Sequence, residues 1–152
     1  MKLTSTAFND YGKLPTKYTC EGLDISPPIF WQDLPPNTNS LVLIHDDPDA
    51  VSGVWDHWVL YNIPPSIGAL PENVTTLPSG TKVGLNSWGQ AAYGGACPPS
   101  GEHRYIFHLY ALDIILSFPN QDQVTSEILR QRMQGHLLAT ATLTGLYQKV
   151  SK

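Results

Sequence analysis

His103-Arg104-Tyr105-Ile106-Phe107-His108-Leu109-Tyr110-Ala111-Leu112 is the stretch that decides the fold class. Aromatic and branched side chains fill it, and these suit a pleated, half-buried strand. Alternation places His103, Tyr105, Phe107 and Leu109 on one face, with Arg104, Ile106, His108 and Tyr110 on the other. Two shorter runs read the same way. Leu41-Val42-Leu43-Ile44 is an apolar run that leads into a Pro-containing loop, and Trp58-Val59-Leu60-Tyr61-Asn62-Ile63 stops at Pro64-Pro65. Strands at these intervals, parted by Pro and Gly turns, predict a sandwich.

Composition agrees. The chain holds 12 Gly and 13 Pro, and only 14% of its residues are charged, against roughly 25% in typical domains. Many turns and little long helix follow. One late helix is predicted near residues 125–138. Thr125 or Ser126 can cap it and Glu127 sits in its first turn. Ile128, Leu129, Met133, His136 and Leu137 then recur near helical spacing. Ala139 to Tyr147 alternates with β-branched residues and reads as a final strand. At 152 residues, with no repeat or linker, residues 1–152 read as a single domain.

Net charge is −4, and no run of Lys or Arg occurs. That argues against a nucleic-acid partner, which would need a basic patch. No apolar stretch reaches the roughly 18 residues of a membrane span. The chain turns polar at once after Met1, so a cytoplasmic location is expected, and the sequon Asn73-Val74-Thr75 then carries no meaning. In a reducing compartment Cys20 and Cys97 are expected as free thiols. Their spacing is unlike a zinc site.

Chemistry concentrates at three loop-to-strand junctions: Asp46-Asp47-Pro48-Asp49, Trp55-Asp56-His57-Trp58 and Tyr93-Gly94-Gly95-Ala96-Cys97-Pro98-Pro99-Ser100-Gly101-Glu102-His103-Arg104-Tyr105. Each sets a carboxylate or imidazole beside Pro or Gly, on stiff backbone at the edge of a core. Read alone, Asp47 is a turn-capping residue and His57 an imidazole packed on a Trp. Read together, His57, His103 and Tyr105 offer several N–H and O–H donors, and Asp47 can orient one imidazole. Such a group suits a small anion. Gly84 to Gly89 and Gly94-Gly95 could add backbone amides, as glycine-rich anion sites do; an ordinary turn explains Gly84 to Gly89 equally well. Arg104 must point away from this group and is expected to pair with Asp47 or Asp49 from behind. His45, His108 and His136 read as structural.

The three motifs, in this order and at these spacings, resemble the phosphatidylethanolamine-binding proteins, and more narrowly their bacterial and archaeal, Raf-kinase-inhibitor-like branch. The resemblance extends to Tyr18-Thr19-Cys20-Glu21-Gly22, Ser26-Pro27-Pro28 and Gly135-His136, and so covers nearly the whole chain. It implies an all-β, β-rich fold: an antiparallel β-sandwich of two sheets with a few peripheral short helices. It implies a small phosphate-accepting surface pocket lined by Asp47, Trp55, His57, Pro98, Pro99, His103 and Tyr105, with no metal and no cofactor. It also implies a regulatory, kinase-inhibitor-like role, with a protein kinase or other signalling protein as partner, and a homodimer. Trp88 and Tyr93 are the expected contributors to that dimer. Val51 and Ala96 stand where the commoner family pattern has Pro, which frees backbone φ and predicts a looser rim.

The function expected is thus binding of a small anionic or phosphorylated ligand. The alternative is an enzyme, with Asp47, His57 and His103 as a two-His-one-carboxylate metal centre or a His as general base. No Gly-x-Ser-x-Gly elbow accompanies them. Cys97 near His103 could be an activated thiol, but Pro98-Pro99 directly after it reads as a stiff rim.

Overall fold

The computed structural model describes residues 1–150. Nine strands form: β1 (Lys2–Thr4), β2 (Gly12–Lys13), β3 (Ile29–Gln32), β4 (Ser40–Asp47), β5 (Trp55–Ile63), β6 (Ala69–Leu70), β7 (Lys82–Val83), β8 (His103–Leu112) and β9 (Leu137–Tyr147). They build a three-stranded sheet in the order β1-β3-β6 and a six-stranded sheet in the order β2-β9-β8-β4-β5-β7. Neighbours pair antiparallel, apart from the short β2–β9 contact, which is parallel. The mostly antiparallel two-sheet fold expected from the sequence is the one observed.

The large sheet is covered on both faces, which explains its composition. Leu41, Leu43, Trp58, Leu60, Tyr105, Phe107 and Leu109 pack with Leu3, Ile29 and Trp31 of the small sheet. Val42, Ile44, Val59, Tyr61, Tyr110 and Leu112 pack on the opposite side, against Leu116, Phe118, Val124 and two residues of the helix α1 (Ser126–Met133), Leu129 and Met133. All eight residues of β4 are therefore buried. A strand with two dry faces reads as a continuous apolar run, as in Leu41 to Ile44. Each such side chain contributes about 1.5–3 kcal/mol on burial. Phe107→Ala, in the middle of the first layer, would cost about 3–5 kcal/mol.

The helix starts where expected. The Thr125 hydroxyl accepts from the Ile128 amide, and Glu127 lies in the first turn. It ends earlier than residue 138. Gly135 takes φ 83°, a left-handed conformation that stops a helix cheaply in glycine. Leu137 then enters β9. The helical spacing of His136 and Leu137 was coincidental: the His136 imidazole pairs with Asp113 at 2.9 Å instead.

Candidate functional site

Strand β4 ends at Asp47, β5 begins at Trp55 and β8 begins at His103, and the three strands lie side by side as β8-β4-β5. The three sequence motifs therefore meet at one end of the large sheet. Asp47 lies across from Trp55, while the β4–β8 register reaches Asp46 opposite Ile106, one step from Asp47 and Tyr105.

A β-bulge completes the grouping. His45 pairs with Trp58, yet Asp46 already pairs with Asp56, so His57 has no partner on β4. Strict alternation would send His57 and Trp58 to opposite faces. The extra residue re-aims the imidazole. Both rings now share the face of Tyr105: His57 and Tyr105 meet edge-on at 5.4 Å, and Trp58 lies in the same core layer.

Asp47, Ala50, Val51, Ser52, Trp55, His57, Trp88, Cys97, Pro98, Pro99, His103 and Tyr105 line a cavity of about 310 Å³. All seven expected site residues are in this set. Its floor lies deeper than a surface pocket implies: Asp47, His57, His103 and Tyr105 are 4%, 3%, 7% and 0% exposed. The His103 Nδ1–H donates to Asp47 Oδ2 at 2.7 Å, and Asp47 Oδ1 accepts the Asp49 amide at 2.8 Å. The His57 Nδ1–H donates to the Gly94 carbonyl at 2.7 Å. A side chain at position 94 would strike the Trp88 ring at 2.2 Å, so glycine lets that indole close the wall above the imidazole, 5.0 Å from it.

Two donors in this set lack a well-formed acceptor. Trp55 Nε1 is buried without a hydrogen-bond partner, and the buried Tyr105 hydroxyl makes no hydrogen bond of good geometry, although Asp47 and the Cys97 backbone lie beside it. Burial, with the negative charge of Asp47 and a hydrogen-bond interaction toward that carboxylate adding to it, pushes the Tyr105 hydroxyl far up, so it remains a protonated donor. Burial likewise lowers the His57 imidazole below its usual 6.5, against the opposing pull of the Gly94 carbonyl and Asp47. His57 is neutral at pH 7, with its proton on Nδ1.

The possible amide donors are already committed. In the Gly84–Gly89 loop the amides go to Val59, Val124, Gln90 and Asp56 carbonyls, to Asn86 Oδ1 and to the Asn86 carbonyl. The Gly94 amide goes to the His57 carbonyl and the Gly95 amide to Asp24. The loop is an ordinary turn built around Asn86, and its contribution is the Trp88 ring. Among the described residues, no group of three or more His, Cys, Asp and Glu side chains is placed to hold a metal ion.

Cys20 and Cys97 are joined in a disulfide, with Cα atoms 5.5 Å apart, contrary to the free thiols expected. Residue 19 bridges residue 96 in parallel and the Cys20 amide donates to the Ala96 carbonyl. Chain proximity, which the distant spacing hid, aligns the two thiols. Ala96 is fully buried, so the backbone leading into the rim is held at that point.

Arg104 lies behind the site, as alternation required, and forms a two-pronged pair with Asp49 at 3.0 and 2.9 Å. His45 is buried beneath the site with its ring 3.7 Å from Phe107. Tyr93 is not a free surface aromatic. Its ring stacks on His45 and its hydroxyl donates to the Tyr18 carbonyl.

The family model of the phosphatidylethanolamine-binding proteins matches residues 4–148. The chain belongs to this family. A UPF0098 protein of Methanothermobacter thermautotrophicus is 49% identical over 152 residues, covering 98% of this chain and 99% of the relative. A UPF0098 protein of Chlamydia trachomatis is 44% identical over 155 residues, covering 98% and 99%. Among solved structures, a phosphatidylethanolamine-binding protein homolog of Chlamydia trachomatis superposes with a TM-score of 0.90 at 42% identity, covering 97% of each chain. E. coli YbcL, described as a member of the mammalian phosphatidylethanolamine-binding family, superposes with a TM-score of 0.89 at 32% identity, covering 97% and 98%. Among the described residues, no helix of this family member is long and apolar enough to cross a membrane.

Proposed function

We propose that this chain binds a small anionic or phosphorylated group in the cavity formed by Asp47, Trp55, His57, Pro98, Pro99, His103 and Tyr105. The observation that carries the reading is a pair of buried donors without well-formed acceptors, Trp55 Nε1 and the Tyr105 hydroxyl. A buried donor without an acceptor costs about 1–3 kcal/mol. A ligand rich in acceptor oxygens recovers that cost at Trp55 and improves on the poor geometry at Tyr105. Phosphate and phosphoryl head groups have such oxygens and fit a cavity of about 310 Å³.

The Asp47 carboxylate repels an anion, and its hydrogen bonds temper this. His103 and the Asp49 amide take up both of its oxygens. The remaining balance comes from a proton at His57. A neutral His57 keeps Nε2 bare, so binding is expected to bring a proton there from solvent, or to have Nε2 accept a hydrogen bond from the hydroxyl of a monoprotonated phosphate. In a regulatory, kinase-inhibitor-like role, the bound group would be a phosphorylated or acidic group of a signalling partner.

The test is an NMR titration with inorganic phosphate. The imidazole signals of His57 and His103 and the Trp55 indole N–H signal should shift together. Shifts confined to His108 or His136 would place the ligand elsewhere and end this reading.

A further inference from the structure

We propose that the Cys20–Cys97 bridge is a thiol–disulfide exchange site that sets the shape of the anion cavity, with a dithiol reductant as its chemical partner. The proposal rests on the anion reading of that cavity. Its ground is position. Both cysteines are exposed at the surface, where a reductant's thiolate can reach them, and Cys97 is itself part of the cavity wall.

The bridge fastens a strap. Before Cys97 the strap is well held: Gly94 is hydrogen-bonded to His57 in both directions, Gly95 to Asp24, and Ala96 to Cys20. After it the backbone is bare. Among the described residues no hydrogen bond holds Pro98 to Gly101, and the chain is next secured where His103 enters β8. Pro98, which is buried, and the exposed Pro99 form the rim, and between the strand start and the covalent tie only packing at Pro98 adds to the hold. Cutting the tie frees the rim while leaving the floor of Asp47, His57, His103 and Tyr105 in place.

The step balances. A thiolate of the dithiol attacks one sulfur of the bridge, breaking the Cys20–Cys97 bond and forming a mixed disulfide. The second thiol of the reductant displaces the protein sulfur and closes its own disulfide. Two electrons pass to the protein, and both cysteines take up a proton. Reoxidation reverses it.

The experiment compares phosphate binding by the full chain before and after dithiothreitol, with Cys20→Ser as a permanently open form. Thiol titration counts the bridge, far-UV circular dichroism follows the fold, and NMR follows His57 and the Trp88 indole. Reduction should expose two thiols in a folded protein and weaken phosphate binding about tenfold, because the rim is no longer preorganised. Cys20→Ser should bind at the reduced level and ignore dithiothreitol. Unchanged affinity together with unchanged His57 and Trp88 signals overturns the proposal. So does a bridge that the reductant opens only by unfolding the chain. If neither form binds phosphate, yet the His57 and Trp88 signals move reversibly with redox state, the switch stands and the anion reading falls.

Discussion

His103 and Asp47, 56 residues apart in the chain, share a hydrogen bond of 2.7 Å with side chains only 9% and 5% exposed. The pair joins the start of β8 to the end of β4 beneath the cavity. It is therefore a structural clasp as well as part of the proposed binding site.

His103→Ala should affect both roles. It leaves Asp47 buried with the Asp49 amide as its remaining partner, at a cost of about 1–3 kcal/mol in urea unfolding. Phosphate binding should weaken too. A variant as stable as the parent would show that the clasp contributes nothing. Were the pair at the surface, as the surface pocket implied by the resemblance would have it, stability would hardly change.

Arg104→Ala should be mild. Its pair with Asp49 is half in water, with side-chain exposures of 47% and 31%, and such pairs are worth about 0–1 kcal/mol. The Arg104 guanidinium holds the Asp49 carboxyl down at about 2. The stability it gives is present above the unfolded carboxyl's ordinary 3.8 and is lost as pH falls toward 2. Carboxyl NMR of the variant should show Asp49 returning upward, with phosphate affinity unchanged. Lost affinity would place Arg104 in the site.

Buried imidazoles make the fold acid-sensitive. Burial lowers His45 well below 6.5 and His57 in the same direction. The unfolded chain then binds more protons than the folded one as pH drops. The stability tied to these neutral rings is complete above about pH 6.5 and declines below it. Melting temperature should fall between pH 7.5 and 5, and added phosphate should offset the loss by favouring protonated His57. Affinity should in turn decrease as pH rises through the His57 pKa of the bound state. A flat affinity from pH 5 to 8 would leave the neutral donors Trp55 and Tyr105 as the whole site.

Homodimerisation, expected from the resemblance, should involve Trp88, which is 47% exposed at the cavity mouth. Tyr93, half-buried and engaged with His45 and Tyr18, offers less surface to a partner. Light scattering at micromolar concentration should give twice 16.7 kDa, and Trp88→Ala should lower it. A constant mass of one chain would rule out a stable dimer.

The sequence made the site legible where alternation held. β8 sorted His103 and Tyr105 from Arg104 correctly because a strand with period two has no freedom in that choice. Pro and Gly marked the junctions. Three things stayed hidden for physical reasons. The bulge at His57 depends on pairing with β4, which no local pattern encodes. The disulfide depends on a bridge between residues 77 apart. Trp88 joined the cavity through Asn86, whose side chain accepts from the Trp88 and Gln90 amides; an exposed Trp in a turn before glycine was the one available signal.

The bulge also limits how this gene can change length. Asp46 and Asp56 face the helix, where Asp46 meets His108 and Arg130 and Asp56 meets Ser126. Asp47 and His57, their immediate neighbours, face the cavity. A residue inserted in the turn 50–53 leaves both sets facing as they do and alters only the part of the wall formed by Ala50, Val51 and Ser52. A residue inserted within β4 ahead of Asp46 would turn its last residues over, delivering Asp46 to the cavity and Asp47 to the helix. Both carboxylates would survive, with their partners exchanged. Drift in loop length is therefore expected in the turn, while an indel in either strand should dismantle the cavity floor even though every residue that forms it is still encoded.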